Sequence, residues 1–209
     1  MYVALSVLIV FLILVASEIG WRRHWLRGEL GRKFVHVLVG SFVAFWPFFM
    51  SWTEIRVLSL AFLVVVIVSD RLKIFRAIHS AQRPTFGEIC FALVVGLLTL
   101  VTNSKGIYAA ALLQMSLADG FAAIVGTHYG ASNKYHLLSH TKSVAGTLAF
   151  IVTSAVILAG YSAFSVHGPL VLATAIFGVL GAAALENIGL FGLDNLIVPL
   201  FIGILLSHS

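Results

Sequence analysis

The sequence has very little charge for its length. Only 10% of its 209 residues are Asp, Glu, Lys or Arg, whereas 60% are hydrophobic. This composition excludes a soluble globular domain and indicates a polytopic membrane protein. The net charge of +5 comes from basic residues in short segments between apolar runs. That distribution is typical of membrane orientation and argues against a nucleic-acid partner.

Cysteine is also scarce. Cys90 is the only cysteine in the sequence, which excludes an intrachain disulfide and a cysteine-based zinc site. The first apolar run lacks the basic segment that opens a secretory signal peptide, so we interpret it as a retained helix. No linker or low-complexity tract is visible, and we expect one integral membrane domain over residues 1–209.

Apolar runs predict an all-α fold, a transmembrane bundle of about eight spans, with seven as the alternative. All Lys and Arg residues except Arg56 and Lys105 fall in every second connection between the apolar runs. One of these connections, the basic segment near residues 71–83, is predicted to be an amphipathic segment that lies on the membrane surface. The positive-inside rule then places both termini outside and the polar residues of interest at the cytoplasmic face. We expect a prokaryotic plasma membrane. The predicted spans are 2–19, 34–50, 53–69, 87–102, 107–129, 144–164, 169–186 and 192–207.

One apolar run carries an acid, Asp119. An ionisable group inside a membrane span is energetically expensive, so it indicates a functional site. Ala122, Gly126 and Gly130 follow at helical spacing and share a face with Asp119. For the glycines alone, close approach of two helices is the favoured interpretation, but that interpretation leaves Asp119 unexplained.

A polar connection follows this run and ends at Lys142-Ser143, just before Gly146. Free backbone N–H groups, a hydroxyl and an ammonium meet at such a helix start, which favours phosphate binding. His136 and His140 in the same connection have metal-ligand spacing only if they are helical. They lack the glutamate of an H-E-x-x-H motif, so we do not expect a zinc site.

Basic and acidic residues also open two other runs. Arg32 and Lys33 precede the second run and His36 lies in its first turn. Together they predict a phosphate-facing cluster, with interfacial anchoring of Arg32 and Lys33 as the alternative. Glu88 lies in the first turn of the fourth run, where it suits the helix dipole and could also serve as a ligand or base.

The last acids lie near the C-terminus. Glu186 ends the seventh run, and Asp194-Asn195 opens the eighth, with Pro199 one turn later. Asp194 could be a helix N-cap. Together with Asp119, these residues supply three carboxylates on one side of the membrane, the ligands that a phosphate-bound divalent cation requires.

These elements, taken in order, resemble the polyprenol kinase family, the phytol and dolichol kinases that use CTP. Phosphatidate cytidylyltransferases share the central nucleotide signature, but Asn195 stands where their C-terminal signature has arginine, which favours the kinase. The matching elements are D-x-x-A-x-x-x-G-x-x-x-G at Asp119, Ala122, Gly126 and Gly130; K-[KST]-x-x-G at Lys142, Ser143 and Gly146; R-K-x-x-H at Arg32, Lys33 and His36; G-E at Gly87-Glu88; and E…D-N…P at Glu186, Asp194, Asn195 and Pro199.

The resemblance implies transfer of the γ-phosphoryl group of CTP to a long-chain isoprenoid alcohol of the phytol, farnesol or polyprenol type, with Mg²⁺ or Mn²⁺. A cytidylyltransferase that makes a CDP-lipid and a non-enzymatic membrane transporter or scaffold are the alternatives, and a homo-oligomer is left open. The residues assigned are Asp119, Lys142, Glu88, Glu186 and Asp194 to catalysis, Asp119 and Asp194 to the metal, and Ala122, Gly126, Gly130, Ser143, Gly146, Asn195, Arg32, Lys33 and His36 to the nucleotide.

Overall fold

The computed structural model describes residues 1–25, 28–72, 85–137, 140–165 and 168–209. In these ranges eight helices lie where the sequence predicts eight apolar runs. In chain order they are α1 (Tyr2–Arg22), α2 (Gly28–Ala44), α3 (Trp52–Leu72), α4 (Gly87–Val101), α5 (Lys105–Tyr129), α6 (Val144–Phe164), α7 (Leu172–Ile188) and α8 (Asp194–Ser207).

The second helix differs most from its prediction. It begins at Gly28 rather than near 34 and ends at Ala44, where the chain enters a 3₁₀ turn over Trp46–Phe48. Proline has no N–H and a fixed φ, so Pro47 ends the α-helical pattern and fits the start of the short turn. The basic residues that were predicted to precede this helix therefore lie within it.

The fold is mostly helical, as predicted, and the structure adds one short hairpin to the helices. Strand β1 (Lys134–Leu137) pairs antiparallel with β2 (His140–Ser143) between α5 and α6. His136 lies opposite Thr141 in this hairpin. Because these residues are extended, the helical spacing that a two-histidine metal site needs is absent from this segment.

Among the described residues, four helices are long and apolar enough to cross a membrane, namely α1, α3 over Trp52–Ser69, α5 and α6. Helices α4, α7 and α8 are apolar but shorter. These helices make the chain a membrane protein, whereas the count of about eight spans and the orientation stay predictions. Arg27, Lys73, Arg76, Arg83 and most of the predicted surface segment lie outside the described residues.

Helix α5 is the centre of the bundle. Its span is 61% buried, against 22% for each of the other three long helices, and it packs against α2, α6 and α8. Tyr108, Leu112 and Met115 of this helix are almost fully buried in the main apolar core. The Tyr108 hydroxyl donates a hydrogen bond to the Val95 carbonyl of α4 at 3.1 Å, which satisfies a buried polar group.

The contact between α2 and α5 is unusually close. A Cβ atom at Gly120 would lie 2.1 Å from Cγ2 of Val37, so only glycine lets the two backbones approach this far. This contact lies next to Asp119 on α5 and one turn from Lys33 on α2. The packing therefore brings a basic segment of α2 beside the acid of α5.

Candidate active site

Three carboxylates converge where α5, α7 and α8 meet. One oxygen from each of Asp119, Glu186 and Asp194 lies within 4.8 Å of the others. The first two are buried, and Asp194 is partly exposed. These are the three acids that the sequence placed on one side of the membrane, and the fold brings them to a single point.

A π-helical turn over Gln114–Ala118 immediately precedes Asp119 in α5. Such a turn holds more residues than an α-helical turn and therefore changes the direction in which the following side chains leave the helix. Single π turns often occur at functional sites. Here the turn sets the rotation of Asp119 relative to the first half of α5.

Lys33 of α2 forms a buried ion pair with Asp119. His36, one turn later, places Nε2 3.8 Å from Oδ2 of Asp119. The same Nε2 lies 3.1 Å from the Met115 carbonyl. A carbonyl can only accept a hydrogen bond, so Nε2 carries the proton and donates it.

Lys142 of β2 forms the second ion pair of the site, with Glu186 of α7. Its ammonium also donates to the Glu186 backbone carbonyl at 2.7 Å. The Tyr135 hydroxyl of β1 donates to the Asn187 side-chain carbonyl. The hairpin is thereby fixed to the end of α7, which holds Lys142 against the carboxylate cluster.

The charges of the cluster do not balance. Asp119 and Glu186 each have a lysine partner. Among the described residues, no basic side chain lies within 4 Å of the Asp194 carboxylate. Removing a carboxylate from water is costly unless an opposite charge compensates it. Three oxygen donors with excess negative charge fit a hard divalent cation, so the residues present suit Mg²⁺ or Mn²⁺.

Arg32, Glu88 and Asn195 form a second polar group beside the cluster. Nη1 of Arg32 lies 4.0 Å from Oε1 of Glu88. The Asn195 side chain donates to the Gly87 carbonyl at 3.1 Å. This bond joins the start of α4 to the start of α8. With His36, these residues line one end of a cleft between α1, α2, α3 and α4.

The small residues of α5 pack against the start of α6. Added Cβ atoms at Gly126 and Gly130 would lie 3.0 Å and 2.5 Å from Oγ of Ser143, and one at Gly146 would lie 2.9 Å from the Ala122 carbonyl oxygen. The Ser143 hydroxyl accepts a hydrogen bond from the Gly146 N–H and caps α6.

The glycines of this contact were also predicted to bind the nucleotide. The close approach is specific to this part of α6: a Cβ atom at Gly146 would contact the Ala122 carbonyl oxygen, whereas one at Gly160 of the same helix would meet nothing within 4 Å. The helix–helix interpretation of the glycines is therefore confirmed, and α6 fills the groove expected along this face. The role of Ala122, Gly126, Gly130, Ser143 and Gly146 in nucleotide binding stays a prediction.

The sequence analysis did not predict the two ion pairs. In the structure Lys33 pairs with the Asp119 carboxylate and Lys142 pairs with the Glu186 carboxylate. Gln114 was also missed, although it lines a small void with all three acids. Oε1 of Gln114 is buried without a hydrogen-bond partner among the described residues. A buried acid in a membrane span usually has a positively charged partner. That rule, applied to Asp119, could have indicated Lys33 from the sequence.

Comparison with known proteins identifies the family. The chain is 31% identical to a phytol kinase of Synechocystis sp. over 179 residues, which are 82% of this chain and 76% of that protein. The chain belongs to the phytol kinase family of polyprenol kinases. The family resemblance drawn from the motifs is confirmed, and so is the prediction of a lipid kinase that acts on an alcohol.

Two plant proteins are similar as well. The chain is 33% identical to a probable chloroplastic phytol kinase 2 of Glycine max and 31% identical to a probable chloroplastic phytol kinase of Zea mays, in each case over 68% of its length. It spans about half the length of these plant relatives. No family model matches the chain, and no solved structure is significantly similar to it. Membership in a kinase family sets aside the non-enzymatic alternative.

Proposed function

We propose that this chain transfers the γ-phosphoryl group of CTP to the hydroxyl of a long-chain isoprenoid alcohol, at the cytoplasmic face of its membrane. The observation that carries the proposal is the convergence of three carboxylates and two lysines at one point in a chain of the phytol kinase family. Phosphoryl transfer depends mainly on positioning and on charge neutralisation. The carboxylates and lysines of the cluster can supply positioning and charge neutralisation, and they lie where the apolar helices meet the β1–β2 hairpin.

Asp119 and Asp194, with Glu186 beside them, would hold Mg²⁺ or Mn²⁺. The ion supplies charge neutralisation for the nucleotide phosphates when it is bound. Lys33 and Lys142 already lie in direct contact with two of these acids. Their ammonium groups are therefore positioned to stabilise negative charge on the phosphate oxygens during transfer.

Glu88 is our candidate for the base. It lies in the cleft that also contains His36 and Arg32, and its side chain is 18% exposed. In the reaction the alcohol oxygen bonds to the γ-phosphorus, the bond from that phosphorus to the β–γ bridging oxygen breaks, and CDP leaves. The hydroxyl proton passes to the Glu88 carboxylate. A general base must lie within hydrogen-bond reach of the proton that it accepts, so the alcohol has to bind in the same cleft as Glu88.

The proposal is tested by offering several acceptors to the purified protein with CTP labelled at the γ-phosphate. Phytol, farnesol and a polyprenol should acquire label in the presence of Mg²⁺, and a chelator should stop the reaction. Diacylglycerol and phosphatidate should stay unlabelled. Absence of label from every isoprenoid alcohol, in protein that is folded by thermal melting, would refute the proposed reaction.

We further propose eight spans with both termini outside, since all Lys and Arg residues except Arg56 and Lys105 then lie on the cytoplasmic side of the protein. An impermeant thiol reagent added outside intact cells should label Asn103→Cys and should miss Ser132→Cys. Both positions are exposed. The parent protein is the control, since its single cysteine, Cys90, is only 4% exposed. The reverse labelling pattern would contradict the orientation and with it the cytoplasmic site.

A further inference from the structure

A cleft runs between the α1–α2 pair and the α3–α4 pair, beside the carboxylate cluster. Together with its open mouth it holds about 480 Å³ of empty space. Its walls are apolar over most of their length and polar at one end. The apolar side chains are Leu14, Val35, Val39, Phe62, Val66 and Phe91.

The polar end of the cleft adjoins the acids. His36, which lines this end, places Nε2 3.8 Å from Oδ2 of Asp119. Asn195 also lines it and directly follows Asp194 in the chain. A hydroxyl group that lay between His36 and Glu88 would thus be next to the site where the phosphates are expected.

The apolar part suits a branched hydrocarbon that enters from the bilayer. The flanking helices α1 and α3 are long and apolar, and only 22% of each span is buried inside the protein. Inside the cleft, the Phe91 ring packs against His36 with centroids 5.3 Å apart and against Phe62 with centroids 6.0 Å apart. The lining of the cleft therefore changes from hydrocarbon at the Phe91 ring to a hydrogen-bonding group at the neighbouring His36 ring.

We propose that this cleft binds the hydroxyl-bearing end of the isoprenoid alcohol, an inference that rests on the proposed kinase function. The hydroxyl lies at the polar end, between His36 and Glu88, and the first isoprene units lie against the apolar side chains of the cleft, whose lining on α2 runs from Arg32 to Val39. That stretch measures about 10 Å at 1.5 Å per residue, which is shorter than a long isoprenoid chain. The remaining units stay in the bilayer, so the enzyme selects the branched head of the alcohol rather than its full length.

Two substitutions on α3 test the cleft. Val66→Phe fills it, because Val66 lines it and is 7% exposed, whereas Val64→Phe makes the same change on a side chain that is 60% exposed. Val66→Phe should raise KM for phytol about tenfold or more, since excluding two or more CH₂ groups from an apolar site weakens binding by that order. KM for CTP should not change, and Val64→Phe should match the parent in both constants.

The outcomes separate this inference from the proposed function. If the parent protein phosphorylates phytol and both variants keep its KM, the cleft is not the alcohol site although the kinase assignment stands. If the parent transfers no phosphate to any prenol, the proposed function itself has failed. Equal effects of the two substitutions on KM would also overturn the cleft assignment.

A binding measurement on the parent protein covers the case in which Val66→Phe does not fold. A prenol that carries a diazirine on its first isoprene unit should crosslink to Phe62 or Phe91, and excess phytol should suppress the crosslink. A saturated straight-chain alcohol of equal length should compete at least about tenfold less well. Equal competition, or crosslinks on exposed faces such as that of Val64, would identify an ordinary lipid contact and refute the proposal.

Discussion

Asp119→Asn should reduce phosphoryl transfer by at least about 10²–10³-fold, the loss typical of removing one preorganised charged or hydrogen-bonding group from such a site. The amide keeps the shape of the side chain but loses the charge that a divalent cation requires. The measurement is initial transfer of γ-label from CTP to phytol at saturating Mg²⁺. Retention of a substantial fraction of the parent rate would assign Asp119 to structure alone.

The Lys33 ion pair adds a stability effect that must be separated from the loss of activity. Asp119→Asn leaves the ammonium of Lys33 buried without its partner, and breaking a buried ion pair from one side costs about 3–5 kcal/mol. The double variant Lys33→Gln with Asp119→Asn removes both charges and should recover much of the lost thermal stability. It should remain inactive, since the metal-binding charge is still absent.

A matched control removes a carboxylate from elsewhere in the chain. Glu54 is exposed in the first turn of α3 and accepts hydrogen bonds from the Ser51 backbone N–H and hydroxyl. Glu54→Gln should leave transfer near the parent rate. If Glu54→Gln and Asp119→Asn reduced transfer equally, loss of negative charge in general, and not the cluster, would explain the result.

The helices were predictable because apolar length is a strong signal. Helix α6 illustrates this best, since the predicted span 144–164 coincides with Val144–Phe164. The structure adds that Ser143 caps this helix. The predicted start of α2 is too late, because adjacent basic residues such as Arg32 and Lys33 are typical of the boundary of a membrane span. Both in fact lie inside the helix, where the acid of α5 compensates Lys33.

The site was only partly predictable. The three acids were identified from their type and their common side of the membrane, and the structure brings them within 4.8 Å of one another. Their lysine partners were not identified, because the sequence does not give the rotation of one helix against another. The π turn before Asp119 makes that rotation harder to infer. Nor did residues 134–143 carry a pattern strong enough to reveal a short hairpin between two long helices.

Lys142→Ala should lower the transfer rate by about 10²–10³-fold, because it removes one of the two ammonium groups at the cluster. Lys134 provides the matched control, since it lies exposed on the paired strand of the same hairpin. Lys134→Ala should keep the parent rate. Equal loss in both variants would mean that the hairpin has been disrupted, and would remove the support for a specific role of Lys142.

The same assay decides between the kinase and a cytidylyltransferase when CTP is labelled at one phosphate at a time. A kinase leaves one phosphate on the lipid and releases CDP, so γ-label should appear in phytol and α-label should not. Lys142→Ala should suppress the γ-transfer without changing which phosphate moves, because the lysine stabilises charge and does not select the bond that breaks. A cytidylyltransferase would instead place CMP on a phospholipid and release pyrophosphate. Lipid that carries α-label, with pyrophosphate in solution, would therefore contradict the kinase reaction even if Lys142 proved essential.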